Sequence, residues 1–248
     1  MSNDLTLACR VFSCIDNTTL SATDNDESVE AFCRRTMEMN AGVHVAAVCV
    51  YPRFVSVARK ALPADIHVAS VAGAFPHGQL PLSLRVEEVK YAVGEGADEV
   101  DIVINRGLLL AGEDNAVRDE VASMKEACGE RLLKVILETG ELPSPTLIAR
   151  ASQLAIDGGA DFIKTSTGKI GTGATPEAAS TMLKVIAQNV KMTGKKIGFK
   201  AAGGLSTPED AFAYANIAEK FFGNEYIDKH TFRIGTSKVT EKLFSILT

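Results

Sequence analysis

Four charged side chains interrupt apolar runs that otherwise read as buried strands: Asp101 in Glu99-Val-Asp-Ile-Val103, Lys134 in Leu132-Leu-Lys-Val-Ile136, Lys164 in Phe162-Ile-Lys164, and Lys200 in Gly198-Phe-Lys-Ala201. A charge in such a place costs heavily unless it is paired or the group gives up its proton. For a lysine, giving up the proton creates a nucleophile, which adds to an aldehyde or ketone to form a Schiff base. Lys164 has the strongest setting for that role. It lies in Asp161-Phe-Ile-Lys-Thr-Ser-Thr-Gly-Lys169, which begins as an apolar strand and ends as a polar, glycine-containing loop. Lys200 is the expected depressor of its pKa. Two ammonium groups about 4 Å apart repel by about 4 kcal/mol at an effective dielectric near 20, equivalent to roughly three pKa units. Asp101 is the expected general acid and base, because imine formation and carbon–carbon cleavage both need proton shuttling. Lys134 completes a cluster of three lysines and one carboxylate.

A substrate end can also be read. Gly203-Gly204 and Gly235-Thr236-Ser237 are small, polar and followed by helix starts. Backbone N–H groups there, with helix N-termini, suit a phosphate. Gly168-Lys169 is no P-loop, since the upstream glycine spacing and the Ser/Thr after the lysine are missing. The histidines, His44, His67, His77 and His230, show no helix-ligand pair, so a metal-dependent reaction is not expected. Cys49, at the end of a strand, is a candidate for the pocket wall.

These residues need elements to hold them. Strand candidates are Val11–Ile15, Val43–Val50, Ile66–Val71, Glu99–Ile104, Leu132–Leu137, the run ending at Lys164, Ile197–Ala202 and Phe232–Gly235. Helical stripes separate them. One follows Asp24 or Asp26 as N-cap. Others span Phe54–Leu62, Leu82–Glu95, Val117–Cys128, Pro145–Asp157, Thr175 to about Met192, the segment opened by Thr207-Pro208, and Val239–Leu247. Thr-Pro starts two of these helices, with Thr as cap and Pro at the first helical position. Alternating β and α units imply a parallel sheet, and eight of them in about 250 residues imply a single-domain (β/α)8 barrel spanning residues 1–248. Active sites of such barrels lie at the C-terminal strand ends, and the loops after strands seven and eight commonly hold phosphate. A lone lysine in a strand more commonly sits at an edge or snorkels to water. A closed barrel has no edges, and four consecutive strands each carrying one charge exceed that explanation. A doubly wound open sheet is the alternative, but no GxGxxG follows the first strand.

Composition narrows the class. The chain has 248 residues, 46% hydrophobic and 23% charged, with net charge −5. That balance, with no long basic run, argues against a nucleic-acid surface. No stretch approaches a membrane span and the first ten residues lack a signal-peptide core. Five scattered cysteines without a CxxC pair fit a reduced, cytoplasmic protein.

The motifs resemble those of the deoxyribose-phosphate aldolases, a family of class I, Schiff-base aldolases. The resemblance covers nearly the whole chain. Its most specific parts are Phe162-Ile-Lys-Thr-Ser-Thr-Gly-Lys169 and Gly198-Phe-Lys-Ala-Ala-Gly-Gly204. Asp16-x-Thr18-x-Leu20, Val48-Cys49-Val-Tyr-Pro-Arg53, Phe75-Pro-His-Gly78, Gly96-Ala-Asp-Glu-Val-Asp101 and Leu133-Lys-Val-Ile-Leu-Glu-Thr139 support it. The resemblance implies that Lys164 is the Schiff-base lysine, Lys200 the second lysine that perturbs it, and Asp101 the acid/base residue, with Lys134 beside it. It implies substrate contacts from Asp16, Thr18, Cys49 and Thr167, and a phosphate site of Gly168, Lys169, Gly203, Gly204, Gly235 and Ser237. The implied reaction is reversible cleavage of 2-deoxy-D-ribose 5-phosphate to D-glyceraldehyde 3-phosphate and acetaldehyde, with no cofactor and no metal. A homodimer is a further expectation.

Three departures from the family pattern stand out. Ala201 replaces a common proline. Ser206 stands where many members carry an arginine, while Lys238 follows Ser237, so a phosphate-binding cation is expected to have moved between loops. The chain ends at Phe244-Ser-Ile-Leu-Thr248 without the terminal tyrosine that assists proton transfer in some members. Two other readings share these residues. One is a Schiff-base aldolase for a different phosphorylated sugar. The other is a non-catalytic sugar-phosphate-binding barrel, which has no need of three buried charges.

Overall fold

Short apolar runs alternate along the chain with longer stretches in which apolar residues recur every third or fourth position, and the chain folds accordingly. The computed structural model describes residues 3–248. In chain order the elements are α1 (Asn3–Ser13), β1 (Ile15–Thr18), α2 (Asp26–Glu38), β2 (Ala47–Val50), α3 (Val55–Ala61), β3 (His67–Ala72), α4 (Leu82–Gly94) and β4 (Glu99–Val103). There follow α5 (Arg106–Ala111), α6 (Asp114–Cys128), β5 (Leu132–Ile136), α7 (Pro145–Asp157), β6 (Phe162–Lys164) and α8 (Pro176–Thr193). The last are β7 (Gly198–Ala202), α9 (Pro208–Phe222), β8 (Phe232–Thr236) and α10 (Val239–Leu247). Every strand pairs in parallel with its neighbours in chain order, and β8 pairs with β1, closing the (β/α)8 barrel.

Local chemistry accounts for the helix starts. Thr175 and Thr207 accept the backbone N–H groups of Ala178 and Asp210, with Pro176 and Pro208 next in line. The cap of α2 is Asn25, not Asp24 or Asp26, and it forms a reciprocal box with Ser28. The first strand also differs from the sequence reading. Val11 and Phe12 belong to α1, where with Ala8 they form a buried stripe at helical spacing. Phe12 meets Phe244 of α10 with ring centroids 6.2 Å apart. The strand therefore starts at Ile15 and carries Asp16 into the barrel. The sequence reading also missed α5, a short helix capped by the Asn105 side chain.

Two packing layers result from the period-two alternation. Outward residues such as Val48, Val100, Val135, Ile163 and Phe199 join the helices in one apolar core. Inward residues divide the interior. Ala47, Cys49, Ala69 and Val71 form a small apolar cluster on β2 and β3. Beyond them, Glu99, Asp101, Lys134, Lys164, Lys200, Arg233 and Asp16 are all buried. The register fixes their neighbours: Asp101 lies beside Lys134, Lys164 beside Lys200, and Lys200 beside Arg233. Among the described residues no helix is long and apolar enough to cross a membrane.

Candidate active site

Of the four charges found in the sequence, the three lysines converge on the fourth, Asp101. Lys164 Nζ donates to its Oδ2 at 2.8 Å, and Lys200 Nζ donates to the same oxygen at 2.7 Å. Lys134 Nζ donates to Oδ1 at 2.9 Å. Burial would raise the Asp101 pKa, but Lys134, Lys164 and Lys200 outweigh it and hold the carboxyl well below the usual carboxylate range. Asp101 is therefore ionised, and it is the hub on which the three lysine amines meet.

The lysines do not share one fate. For Lys200, burial opposes the charge, but Asp101 and Asp16 overcome it and the pKa is raised. Its second partner is Asp16 Oδ2, at 2.5 Å. For Lys164, burial is the largest influence and the pKa is lowered, Lys200 adding to the depression and Asp101 opposing it. Lys200, the depressor expected from the sequence, does lower the Lys164 pKa, but desolvation is the larger influence. Lys164 alone of the three lysines reaches the cavity, with 4% of its surface exposed.

That cavity, about 430 Å³, runs from Lys164 across the loops after β1, β6, β7 and β8. The volume suits a small ligand. Thr18, Thr167, Gly168, Lys169, Gly203, Gly204, Gly235, Ser237 and Lys238 all line it, as does Ser206. Its lining residues include Lys164, Lys169 and Lys238 and no carboxylate. Asp16 and Cys49 are not in the wall. Asp16 lies beneath it, bound to Lys200 and Arg233, and Cys49 is fully buried with its thiol pKa pushed up by burial.

Close backbone packing shapes the anion end. Gly168, Gly203 and Gly204 have φ of 75°, 86° and 82°, a region that strains residues with a side chain. A side chain at Gly173 would strike the Gly203 carbonyl at 2.2 Å. Gly235 leaves room for the Lys200 stem, since a Cβ there would lie 2.9 Å from Lys200 Cε. Thr236 accepts the N–H groups of Lys238 and Val239, so these donors at the start of α10 are already engaged.

Several contributors escaped the sequence reading. Glu99 and Arg233 extend the charged cluster downward. Arg233 donates to Asp16 Oδ1 at 2.6 Å and to both Glu99 oxygens at 2.7 and 2.9 Å. Lys134 also binds Glu99 and, at 3.1 Å, Asp16. The signal was the period of two: Glu99 stands two residues before Asp101 on the same strand. Glu138 is a second omission. It is buried in a left-handed conformation, φ 55°, and accepts the Thr167 N–H at 3.1 Å and the Thr167 hydroxyl. The Thr167 hydroxyl in turn accepts the Lys169 N–H at 3.0 Å. A left-handed glutamate costs of order 1 kcal/mol or more, so the pair pins the loop after β6 at some expense.

Residues 10–218 match the family model described as DeoC/LacD family aldolase. The chain is similar to a candidate deoxyribose-phosphate aldolase from Toxoplasma gondii ME49, at 26% identity over 98% of this chain and 93% of that one, with a TM-score of 0.85. It is similar to an aldolase designated QR15 at 30% identity over 95% and 96% of the two chains, TM-score 0.79. It also resembles the deoxyribose phosphate aldolase of Aeropyrum pernix, described as tetrameric, at 25% identity over 99% and 97%, TM-score 0.71.

Proposed function

Because the chain belongs to the DeoC/LacD family of aldolases, we propose that it cleaves 2-deoxy-D-ribose 5-phosphate reversibly to D-glyceraldehyde 3-phosphate and acetaldehyde through a Schiff base on Lys164. The observation that carries this reading is a single buried lysine with a lowered pKa at the floor of a cavity whose far wall is cationic and glycine-rich.

The Lys164 amine adds to C1 of the open-chain sugar, and loss of water gives the protonated imine. Removal of the C3 hydroxyl proton then breaks the C2–C3 bond. The imine takes the electron pair and becomes an enamine, and glyceraldehyde 3-phosphate leaves. Protonation at C2 and addition of water release acetaldehyde and restore the amine. Asp101, held ionised, accepts protons and orients both amines. Lys200, held protonated, is the nearby donor. Lys134 keeps Asp101 ionised from the other side. Lys169, Lys238, Ser237 and the backbone at Gly168, Gly203, Gly204 and Gly235 receive the phosphate, with Lys238 supplying a cation in the loop after β8. Thr18 and Thr167 border the carbon chain. No group beyond the chain's own residues is needed for these steps.

Acetaldehyde with borohydride should add an ethyl group to Lys164, found by peptide mass. No adduct, or one on another lysine, would refute the assignment. A coupled assay for glyceraldehyde 3-phosphate release from deoxyribose 5-phosphate separates this substrate from other phosphorylated sugars. The chain's own assembly, a homodimer on our reading, is open to sedimentation analysis.

A further inference from the structure

The buried cluster has a charge imbalance that its own composition creates. Three carboxylates, Asp16, Glu99 and Asp101, face four basic groups, Lys134, Lys164, Lys200 and Arg233. All seven are buried. A buried charge needs a partner, so the set balances only when one basic group is neutral. Arginine does not deprotonate in proteins. Lys134 touches all three carboxylates and Lys200 touches two, whereas Lys164 touches one. The lysine with the fewest carboxylate partners is the one that gives up its proton.

We propose that Arg233 and Glu99, which lie beneath the cavity and touch no part of it, are positioning residues that set the protonation of Lys164 through the charge count of the cluster. The inference rests on the aldolase reading only for the purpose of the free amine, not for its existence.

Arg233 is the pivot. It bridges Asp16 and Glu99, its Nε donates to the Lys229 carbonyl at 2.5 Å, and its guanidinium lies 5.5 Å over the Phe162 ring. Glu99 binds Arg233 and Lys134 and also meets His67 Nδ1 at 2.7 Å. His67, 32% exposed in its side chain, is the cluster's link to solvent at the start of β3. Around Lys164 the remaining titratable neighbours are Asp101, Lys200 and the Cys49 thiol, whose raised pKa keeps it neutral. Each strand of the barrel thus gives at least one group to this set: Asp16, Cys49, His67, Glu99 with Asp101, Lys134, Lys164, Lys200 and Arg233.

Charge counting makes a prediction with opposite signs. Removing Arg233 leaves three carboxylates and three lysines, which balance with Lys164 protonated. Removing the Glu99 charge leaves two carboxylates against four basic groups, which pushes a proton off Lys164 more strongly. The readout is the pH dependence of Lys164 acetylation by acetic anhydride, followed by peptide mass, which reports the free amine without any aldolase step. Arg233→Met should move the midpoint up and Glu99→Gln should move it down. Each shift should be about one pH unit, the size expected of a unit charge two side chains away at an effective dielectric near 20. The double variant should return near the wild-type midpoint, and Arg233→Lys, which keeps the charge, should hold it. Shifts of the same sign, no shift, or a double variant that stays displaced would overturn the inference. If Arg233→Met fails to fold, the isosteric Glu99→Gln still decides, since an unmoved or raised midpoint refutes the charge count. Acetaldehyde trapping run in parallel tests the aldolase reading by itself. The shift pattern without an adduct would remove that reading and support the charge count.

Discussion

Replacing Thr167 by valine tests how the anion end of the cavity is held. The Thr167 hydroxyl donates to the buried Glu138 carboxylate and accepts the Lys169 N–H at 3.0 Å. Valine has nearly the same shape, so no cavity forms and only the hydrogen bonds are lost. A bond to a charged acceptor contributes about 1.5–3 kcal/mol and a neutral one about 1 kcal/mol. Lys169 is exposed, so water can replace its lost partner. Glu138 is buried but keeps the Thr167 N–H at 3.1 Å. The net loss is then about 2 kcal/mol, or about 4–8 °C in Tm for a chain of this size. The same loosening lets Lys169 and Gly168 drift from the phosphate. The expected consequence is about a tenfold rise in KM for deoxyribose 5-phosphate, equivalent to about 1.4 kcal/mol, with kcat changed much less. The Lys164 adduct with acetaldehyde, which has no phosphate, should form over the wild-type pH range. Thermal unfolding, steady-state kinetics and trapping measure the three quantities separately. An unchanged KM beside a lowered Tm would show that this loop does not hold the phosphate. A lowered kcat with an unchanged KM would assign Thr167 to the chemistry instead.

Lys200→Leu should raise the pH at which the trapped Lys164 adduct appears by about two units, as expected for charges some 5 Å apart at an effective dielectric near 20; an unmoved profile would remove Lys200 as a depressor. Gly203→Ala forces a side chain into a φ of 86° and to within 3.1 Å of Gly173 Cα and 3.2 Å of Ser166 Cβ. It should raise KM for the phosphorylated substrate several-fold, and wild-type kinetics would show that this turn does not shape the site. Asp101 and Glu99 are held well below the usual carboxylate range and Asp16 at about 2, the lysines and Arg233 outweighing burial. Depressed carboxylates stabilise the fold above their unfolded pKa, near 4, and that stability is lost as the pH falls through the folded values. Urea midpoints should therefore drop between pH 5 and pH 2, with the unfolding free energy falling by about 2 kcal/mol from Asp16 alone. Equal midpoints at pH 5 and pH 2.5 would contradict an ionised network.

The sequence made the barrel and its main charges legible because both depend on periodicity. Eight apolar runs alternate with helical stripes, and a lysine among Phe162 and Ile163, or between Phe199 and Ala201, is visible without any structure. What periodicity alone did not resolve was the first strand, where Val11 and Phe12 fit either a strand or a helix until Ala8 is counted with them. Glu138 was hidden for another reason: its role depends on a left-handed backbone and on Thr167, 29 residues away. Asp16 was visible only as a motif residue, and its place under the cavity follows from pairing with Gly235 across the barrel seam.

The ranking of the lysines is the part no linear reading could supply. Lys134, Lys164 and Lys200 look alike in sequence, each one charge in an apolar strand. Register separates them. Lys134 pairs with Phe162 and so lies one inward layer below Lys164, which pairs with Ile136. At that depth it meets Asp16, Glu99 and Asp101 together, and its pKa is raised although burial opposes its charge. Lys164, one layer nearer the cavity, keeps only Asp101. Desolvation is the largest influence on both amines, so burial alone cannot decide which of them is the nucleophile. The number of carboxylates each can reach decides it, and that number is set by how the strands are staggered around the barrel.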